Sequence, residues 1–506
     1  MKLKASLFVV AFVLLAVTAL GIVTPLQSPA KSAKANLNTS QNQPGVAERI
    51  KRVESGLSPP VIIKGQARAQ WTITERLAFY KVPGVSIAVI NNGAIEWARG
   101  YGVAEAGTAQ PVTVDTLFQA ASISKPVAAM GALRLVEEGK LSLDEDVNKS
   151  LTSWKVPEND FTKEKKVTLR GLLSHSAGTT VHGFRGYASD EPVPTLLQVL
   201  NGEKPANSKP IRVDIQPGSQ WRYSGGGISV MQQMIIDVTG KPFPEFMRKT
   251  VLDKLGMKRS TYEQPLPKSF SSSVATGHRQ NGEIVKGKWH TYPEMAAAGL
   301  WATPSDLARF AIEIQKSKAG KSNRVLSAEM TNQMLTMVKA DYGLGIGLQG
   351  EGKTFAFSHG GSNEGFRCFL FAYAETGQGA VIMTNGDNGA PLTSEILRSI
   401  AREYGWPNYT VKERVVAEVG PKVYASYAGR YETRAGSVTV IAENGRLFIQ
   451  APPFGPDRVE LYPESETKYF ITIDDVLFTF IKDEKGQVTE MLVEPRGQTI
   501  RAKKST

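Results

Sequence analysis

In "VPGVSIAVINNGAIEWARGYGVA" (82–104), Val85, Ile87 and Val89 alternate with small or polar neighbours, and Ile95 and Trp97 resume the alternation after Asn92-Gly93. Strand side chains alternate between faces, and Asn-Gly suits a two-residue hairpin turn, so this stretch predicts strand–turn–strand. The period then changes. Val127, Met130, Leu133 (or Leu135) and Val136 recur at helical spacing, and Gly139 ends the run. "GGGISVMQQMIIDVTGKPFPEFMRKTVLDKLGM" predicts two helices broken at Gly240. "ATPSDLARFAIEIQ" opens with Thr303 as N-cap, Pro304 at the first helical position and Asp306 at the third. "FAFSHGGSNEGFRCFLFAY" and "GAVIMTNG" predict paired strands, and a last helix is expected around 391–404.

This order, hairpin first, helices inserted, strands again, predicts a mixed α/β (α+β) body over 66–410. It reads as a sheet covered by helices, with a helical insertion. From about 420 helical periodicity disappears. "VTVIAENGRLFIQ" predicts an Asn444-Gly445 hairpin, and further strand-like runs follow with a turn at Gly486. Residues 420–506 therefore predict a small C-terminal antiparallel β domain. Residues 24–60 are rich in Ser, Pro, Asn and Gln; 36–65 is expected to be a flexible linker, with order starting near Trp71.

Lys2 and Lys4 precede the apolar run 7–23, and small residues follow at 33–35. This describes an export signal within 1–35, either cleaved or retained as a membrane anchor, and places the mature protein in the periplasm or outside the cell. The formal charge of +12 is spread along the 506 residues, and nothing resembles a nucleic-acid-binding module. Cys368, the single cysteine, sits in an apolar run and reads as a buried structural thiol. Five histidines show no metal-ligand spacing, so no metal and no cofactor are expected. Oligomeric state is not legible.

Ser122 and Lys125 stand in an S-x-x-K spacing at the start of the helical run. Positions i and i+3 share a helix face, Pro126 is tolerated only in a first turn, and a serine hydroxyl needs a base within hydrogen-bond reach to become a nucleophile. The spacing alone decides nothing. It recurs at Ser28–Lys31 and Ser465–Lys468, and from this stretch alone an N-cap serine beside a solvated lysine is the better reading. Two further stretches change this: Tyr223-Ser224-Gly225 in "QWRYSGGGISV", and His359-Gly360-Gly361-Ser362 in "FSHGGSNEGF".

With these three elements in order, the chain resembles the penicillin-recognising serine hydrolases, in the branch of class C β-lactamases, D-alanyl-D-alanine carboxypeptidases and related esterases, which carry S-x-x-K, Y-x-N and K/H-x-G. "VTLRGLLSHSAG" and "AAAGLWATPSDLARF" match the family's texture as well, and the resemblance covers about 75–405. It implies a β-lactamase/transpeptidase-like fold, an antiparallel sheet flanked by helices with a helical subdomain. Ser122 becomes the acylated nucleophile, Lys125 its base or proton relay, and Tyr223 a partner base or acid whose anion the lysine charge favours. The backbone N–H groups of Ser122 and Ser362 form the oxyanion hole. His359, Gly361 and Gly225 line the substrate side. His175 in "LLSHSAG" and Lys353-Thr354 in "GKTF" read as decoys.

Two positions depart from the family pattern. Gly225 replaces the asparagine of Y-x-N and has no amide to hold an acylamide group. His359 replaces a lysine and is mostly neutral near pH 7, so it grips a carboxylate less well. Arg367 supplies a substitute cation if it faces the cleft. The expected activity is an exported esterase- or peptidase-like acyl hydrolase acting on a small-molecule or peptide acyl substrate. The alternatives are a class C-type β-lactamase or D-alanyl-D-alanine carboxypeptidase, and a non-catalytic envelope binding protein on the same fold.

Overall fold

The first hairpin forms as its alternation predicts. Strands Gly84–Asn91 and Ala94–Gly102 pair antiparallel, with Val89 opposite Trp97, and Asn92 (φ +52°) and Gly93 (φ +68°) make the left-handed turn between them. The structure, a computed structural model, describes residues 44–433, 436–451, 458–495 and 499–505. The expected signal or anchor, including 7–23, lies outside the described residues.

The hairpin is half of a larger sheet. Gly84–Asn91 also pairs with Gly379–Thr384, which pairs with Phe366–Tyr373, then Ala356–Asn363, then Gly347–Gln349. All six strands run antiparallel to their neighbours. Gly84–Asn91 is covered on both faces, so seven of its eight residues are buried, Ser86 among them. Helix Pro304–Lys318 packs on this sheet, its first turn held by Thr303, whose hydroxyl accepts the Asp306 N–H. Between the strands of the two chain halves lies the helical subdomain. Helix Ser124–Glu137 is its axis and is buried along most of its length, against helix Gly225–Thr239. The second expected helix after Gly240 forms as Phe243–Met247, a π-turn Arg248–Leu252 and Asp253–Leu255.

The described chain divides into two compact units, 44–55 with 72–400 and 56–71 with 401–505. This corrects the flexible linker expected over 36–65 where it falls on the described residues, 44–65; 36–43 lie outside them. Pro44–Glu54 is a helix whose Val46, Ile50 and Val53 are buried, and its Arg49 and Glu54 bind Glu96 and Tyr101 of the hairpin at 2.7 and 2.9 Å. Val61–Ile63 is a strand, paired parallel with Lys412–Arg414. The short apolar repeat at i, i+4, i+7 is enough for one buried face, although the surrounding composition is polar.

The C-terminal strands do more than stack. Eight strands from Gly429–Thr433 to Ile500–Lys504 close into an antiparallel barrel, with Tyr431 opposite Lys504 completing the ring. Side chains fill it: Tyr427 stacks on Phe480 at 4.2 Å, and Tyr431, Tyr469 and Met491 are fully buried. An eight-stranded barrel is wide enough for such a packed interior and little more.

Candidate active site

Ser122 lies in a tight 3-10 turn, Ala121–Ile123, that runs into helix Ser124–Glu137. Ala121 is held at φ +49°, a left-handed conformation that a residue with a Cβ adopts only when its surroundings impose it. Ser124 imposes it. Its hydroxyl donates to Ala121 O at 2.5 Å and accepts the Leu300 N–H at 2.9 Å, while Tyr262 donates to Ser124 O at 2.7 Å. The second x of S-x-x-K is thus a structural lock, which the motif does not reveal.

Lys125 lies one helical turn on. Its Nζ donates to Ser122 Oγ at 2.9 Å and to Ala297 O at 2.6 Å, and sits 5.0 Å from the Tyr223 ring centre. The side chain is buried, with no carboxylate among these partners. Burial disfavours the ammonium and pulls its pKa down to about 7. The decoy spacing behaves otherwise. Lys468 pairs with Glu464 at 3.0 Å, and Ser465 caps a turn.

Tyr223 precedes helix Gly225–Thr239, whose N-cap is Ser224. Burial pushes the phenol well above its ordinary pKa, against a smaller opposing effect of a hydrogen bond with Ser122. The expected tyrosinate, favoured by a lysine charge, is therefore not the resting form: desolvation dominates, and the lysine beside it has itself lost affinity for its proton.

Strand Ala356–Asn363 closes the other side. Gly347–Gln349 pairs only with 356–358 of it, leaving 359–363 without a partner strand on that side among the described residues. Gly361 has a reason to be glycine. A Cβ there would stand 2.3 Å from Ala120 O, in the turn that carries Ser122. Ser362 is exposed beside it. His359 is buried, and both ring nitrogens are taken. Nδ1 lies 2.7 Å from Gly360 O and must donate, so Nε2 accepts the Tyr342 hydroxyl at 3.0 Å. Burial pushes its pKa down to about 3. The histidine is a neutral wall of the site, not a hydrogen-bonding hand for substrate.

Gly225 is the first residue of its helix, and its N–H donates to His182 O at 2.9 Å. A Cβ at 225 would meet Phe184 Cε2 at 3.1 Å and His182 O at 3.2 Å; at 226 it would meet Thr180 O at 2.6 Å. The glycines let the 180–184 loop lie flat across the helix start. Arg367 is not a spare cation. It pairs with Asp387 at 2.9 Å and donates to Asn363 O at 2.6 Å. Cys368 is buried, donates to Gln119 O, and its thiol is pushed up to about 12. Lys353 lies on an exposed turn. His175, by contrast, is at the site, with its ring 4.3 Å from that of Tyr223.

The comparisons with known proteins agree with this geometry. The model of the Beta-lactamase family matches residues 70–403, and that of a domain of unknown function, DUF3471, matches 413–504. The chain is 23% identical to penicillin-binding protein 4* of Bacillus subtilis (strain 168), over 81% of this chain and 92% of that protein. It is 27% identical to esterase EstB of Burkholderia gladioli over 47% of this chain and 62% of that protein, and 26% identical to a D-aminopeptidase of Brucella anthropi over 64% and 60%. The octameric penicillin-binding protein homologue from Pyrococcus abyssi superposes with a TM-score of 0.58 at 23% identity, over 85% of this chain and 98% of that one, a likeness of fold. With the family model spanning well over half of the chain, this protein belongs to the Beta-lactamase family.

Proposed function

We propose that the protein is an exported serine acyl hydrolase that cleaves neutral esters or amides through an acyl-enzyme on Ser122. The observation that carries this is the buried Lys125 Nζ, 2.9 Å from Ser122 Oγ and lowered to about 7. An amine that is about half neutral at pH 7 takes, in its neutral form, the hydroxyl proton as Oγ attacks the carbonyl carbon. The oxyanion that forms is received by the backbone N–H groups of Ser122 and Ser362. The C–O or C–N bond to the leaving group breaks, and the leaving group departs with a proton handed on from Lys125 through the protonated Tyr223 phenol. Water then adds to the acyl carbon, gives one proton to the same pair, and releases the acid as Ser122 regains its hydrogen.

The substrate class follows from what faces the site. Gly225 offers no amide, His359 is neutral with both nitrogens engaged, and Arg367 is neutralised by Asp387. A substrate carboxylate finds no free cation among these residues. This favours neutral acyl compounds over β-lactams and peptide C-termini, both of which carry one. Export rests on the basic start and the apolar run 7–23.

The test is a panel of p-nitrophenyl esters, D-amino-acid amides and nitrocefin, with fluorophosphonate labelling. Turnover of esters or amides that is lost in Ser122→Ala, together with labelling of wild type alone, is expected. A folded wild type that neither labels nor turns over any of them is a binder and overturns the reading. Nitrocefin as the best substrate overturns the substrate class.

A further inference from the structure

We propose that His175 is the positioning residue for Tyr223, clamping the chain on both sides of the phenol; the inference rests on the role given to Tyr223 above. The Arg222 N–H donates to the His175 main-chain oxygen at 2.8 Å, and the Ser224 N–H donates to His175 Nδ1 at 3.2 Å. The residues before and after Tyr223 are therefore fixed to one residue, whose ring also lies against the Tyr223 ring at 4.3 Å, tilted by 41°. A tyrosine on a loop is otherwise free to move with that loop.

Two features of His175 make the clamp. Its φ is +57°, in the left-handed region that histidine and asparagine enter more readily than most residues. Carbonyl and side chain then both serve the 222–224 segment. Second, a backbone N–H can only donate, so Nδ1 is the acceptor and the proton is on Nε2. Nε2 is buried with no hydrogen-bond partner among the described residues, and the ring packs 4.8 Å from Tyr342 and 6.2 Å from Trp221. An apolar side chain would fill this space without stranding a donor. What only the imidazole adds is the acceptor for Ser224. Burial, with Lys125, His359 and His182 as the neighbouring basic groups, keeps it neutral. Tyr342 joins the clamp to the opposite strand, since its hydroxyl binds His359.

The experiment compares His175→Asn, His175→Leu, the smaller His175→Ala, Tyr223→Phe and the His175→Leu/Tyr223→Phe double variant in the full chain. The readouts are kcat and KM on the best ester and a thermal melt. Asparagine tolerates the left-handed backbone and carries an acceptor where Nδ1 stood. His175→Leu and His175→Ala are expected to lower kcat about 100-fold, the scale of a small misplacement, with KM nearly unchanged. His175→Asn is expected to keep most of kcat, and the double variant to be little worse than Tyr223→Phe alone. Equal kcat in the Asn variant and whichever acceptor-less variant folds overturns the clamp, as does a double variant in which the two losses multiply. A Tyr223→Phe variant with wild-type kcat overturns instead the role of Tyr223, and the inference with it.

Discussion

Lys125 Nζ lies 2.9 Å from Ser122 Oγ and has no counter-ion among its hydrogen-bond partners, so burial alone sets its proton affinity. The lysine must be neutral to accept the serine proton. Because its pKa is lowered to about 7, the competent form grows as pH rises through that value. The ratio kcat/KM on a neutral ester is therefore expected to climb from pH 5, pass half-maximum near 7 and level above 8. Lys125→Arg, which stays charged, is expected to lose at least about 100-fold over the whole range. A profile flat from pH 5 to 9 would remove Lys125 from the role of base.

Gly225 and Phe184 form a coupled pair. Any side chain at 225 starts 3.1 Å from the Phe184 ring and 3.2 Å from His182 O, tighter than ordinary contact. Restoring the family's asparagine by Gly225→Asn alone is expected to displace the 180–184 loop, lower ester turnover and give no gain on nitrocefin. Phe184→Ala/Gly225→Asn gives the ring's space to the new amide, and is expected to recover ester turnover and raise nitrocefin turnover above both single variants. Steady-state kinetics on the two substrates decides it. A single Gly225→Asn variant with undiminished ester turnover would show that the ring yields freely.

Local patterns foretold the parts of this molecule that local chemistry determines. Asn92-Gly93 can make one kind of turn, and Thr303-Pro304-Ser305-Asp306 one kind of helix start, so both stand where the spacing puts them. Ser122, Lys125, Tyr223 and the His359 strand were legible because three ordered motifs constrain one another. What stayed hidden depends on residues far apart in sequence. Barrel closure needs Tyr431 to find Lys504, and no window of sequence contains both. His175 reads as a loop residue in sequence because Tyr223 is 48 positions away, and Phe184 carries no local signal because its partner, Gly225, is far along the chain. The helix Pro44–Glu54 is hidden for another reason: its three buried apolar positions stand in a polar neighbourhood.

One buried ion pair ties the ends of the Beta-lactamase-family unit together. Arg76 Nε and Nη2 donate to the two oxygens of Glu395 at 2.7 Å each, and Tyr80 donates to the same carboxylate at 2.7 Å. Both partners are buried. Glu395→Ala takes away the carboxylate that two guanidinium nitrogens bind in a buried setting, and is expected to destabilise by about 3–5 kcal/mol. Glu395→Gln keeps an acceptor and is expected to lose less. Urea unfolding of the three proteins measures both, and a Glu395→Ala loss below about 1 kcal/mol would mean that water reaches Arg76.

Glu294 is fully buried, and among the described residues its carboxyl oxygens have no hydrogen-bond partner beyond its own backbone amide. Desolvation raises its pKa to about 8, whereas an unfolded glutamate titrates near ~4.3. Between these values the folded state holds a proton that the unfolded state has released, so this group's contribution to stability falls as pH rises through that window. Glu294→Gln removes the titration and keeps the shape. The stability of the variant relative to wild type is expected to grow by on the order of 4 kcal/mol from pH 4.5 to pH 8, by urea unfolding at both values. The direction is diagnostic. A relative stability that does not change with pH would mean that Glu294 is ionised in the fold and has found a partner, and one that shrinks would mean that the partner is a cation.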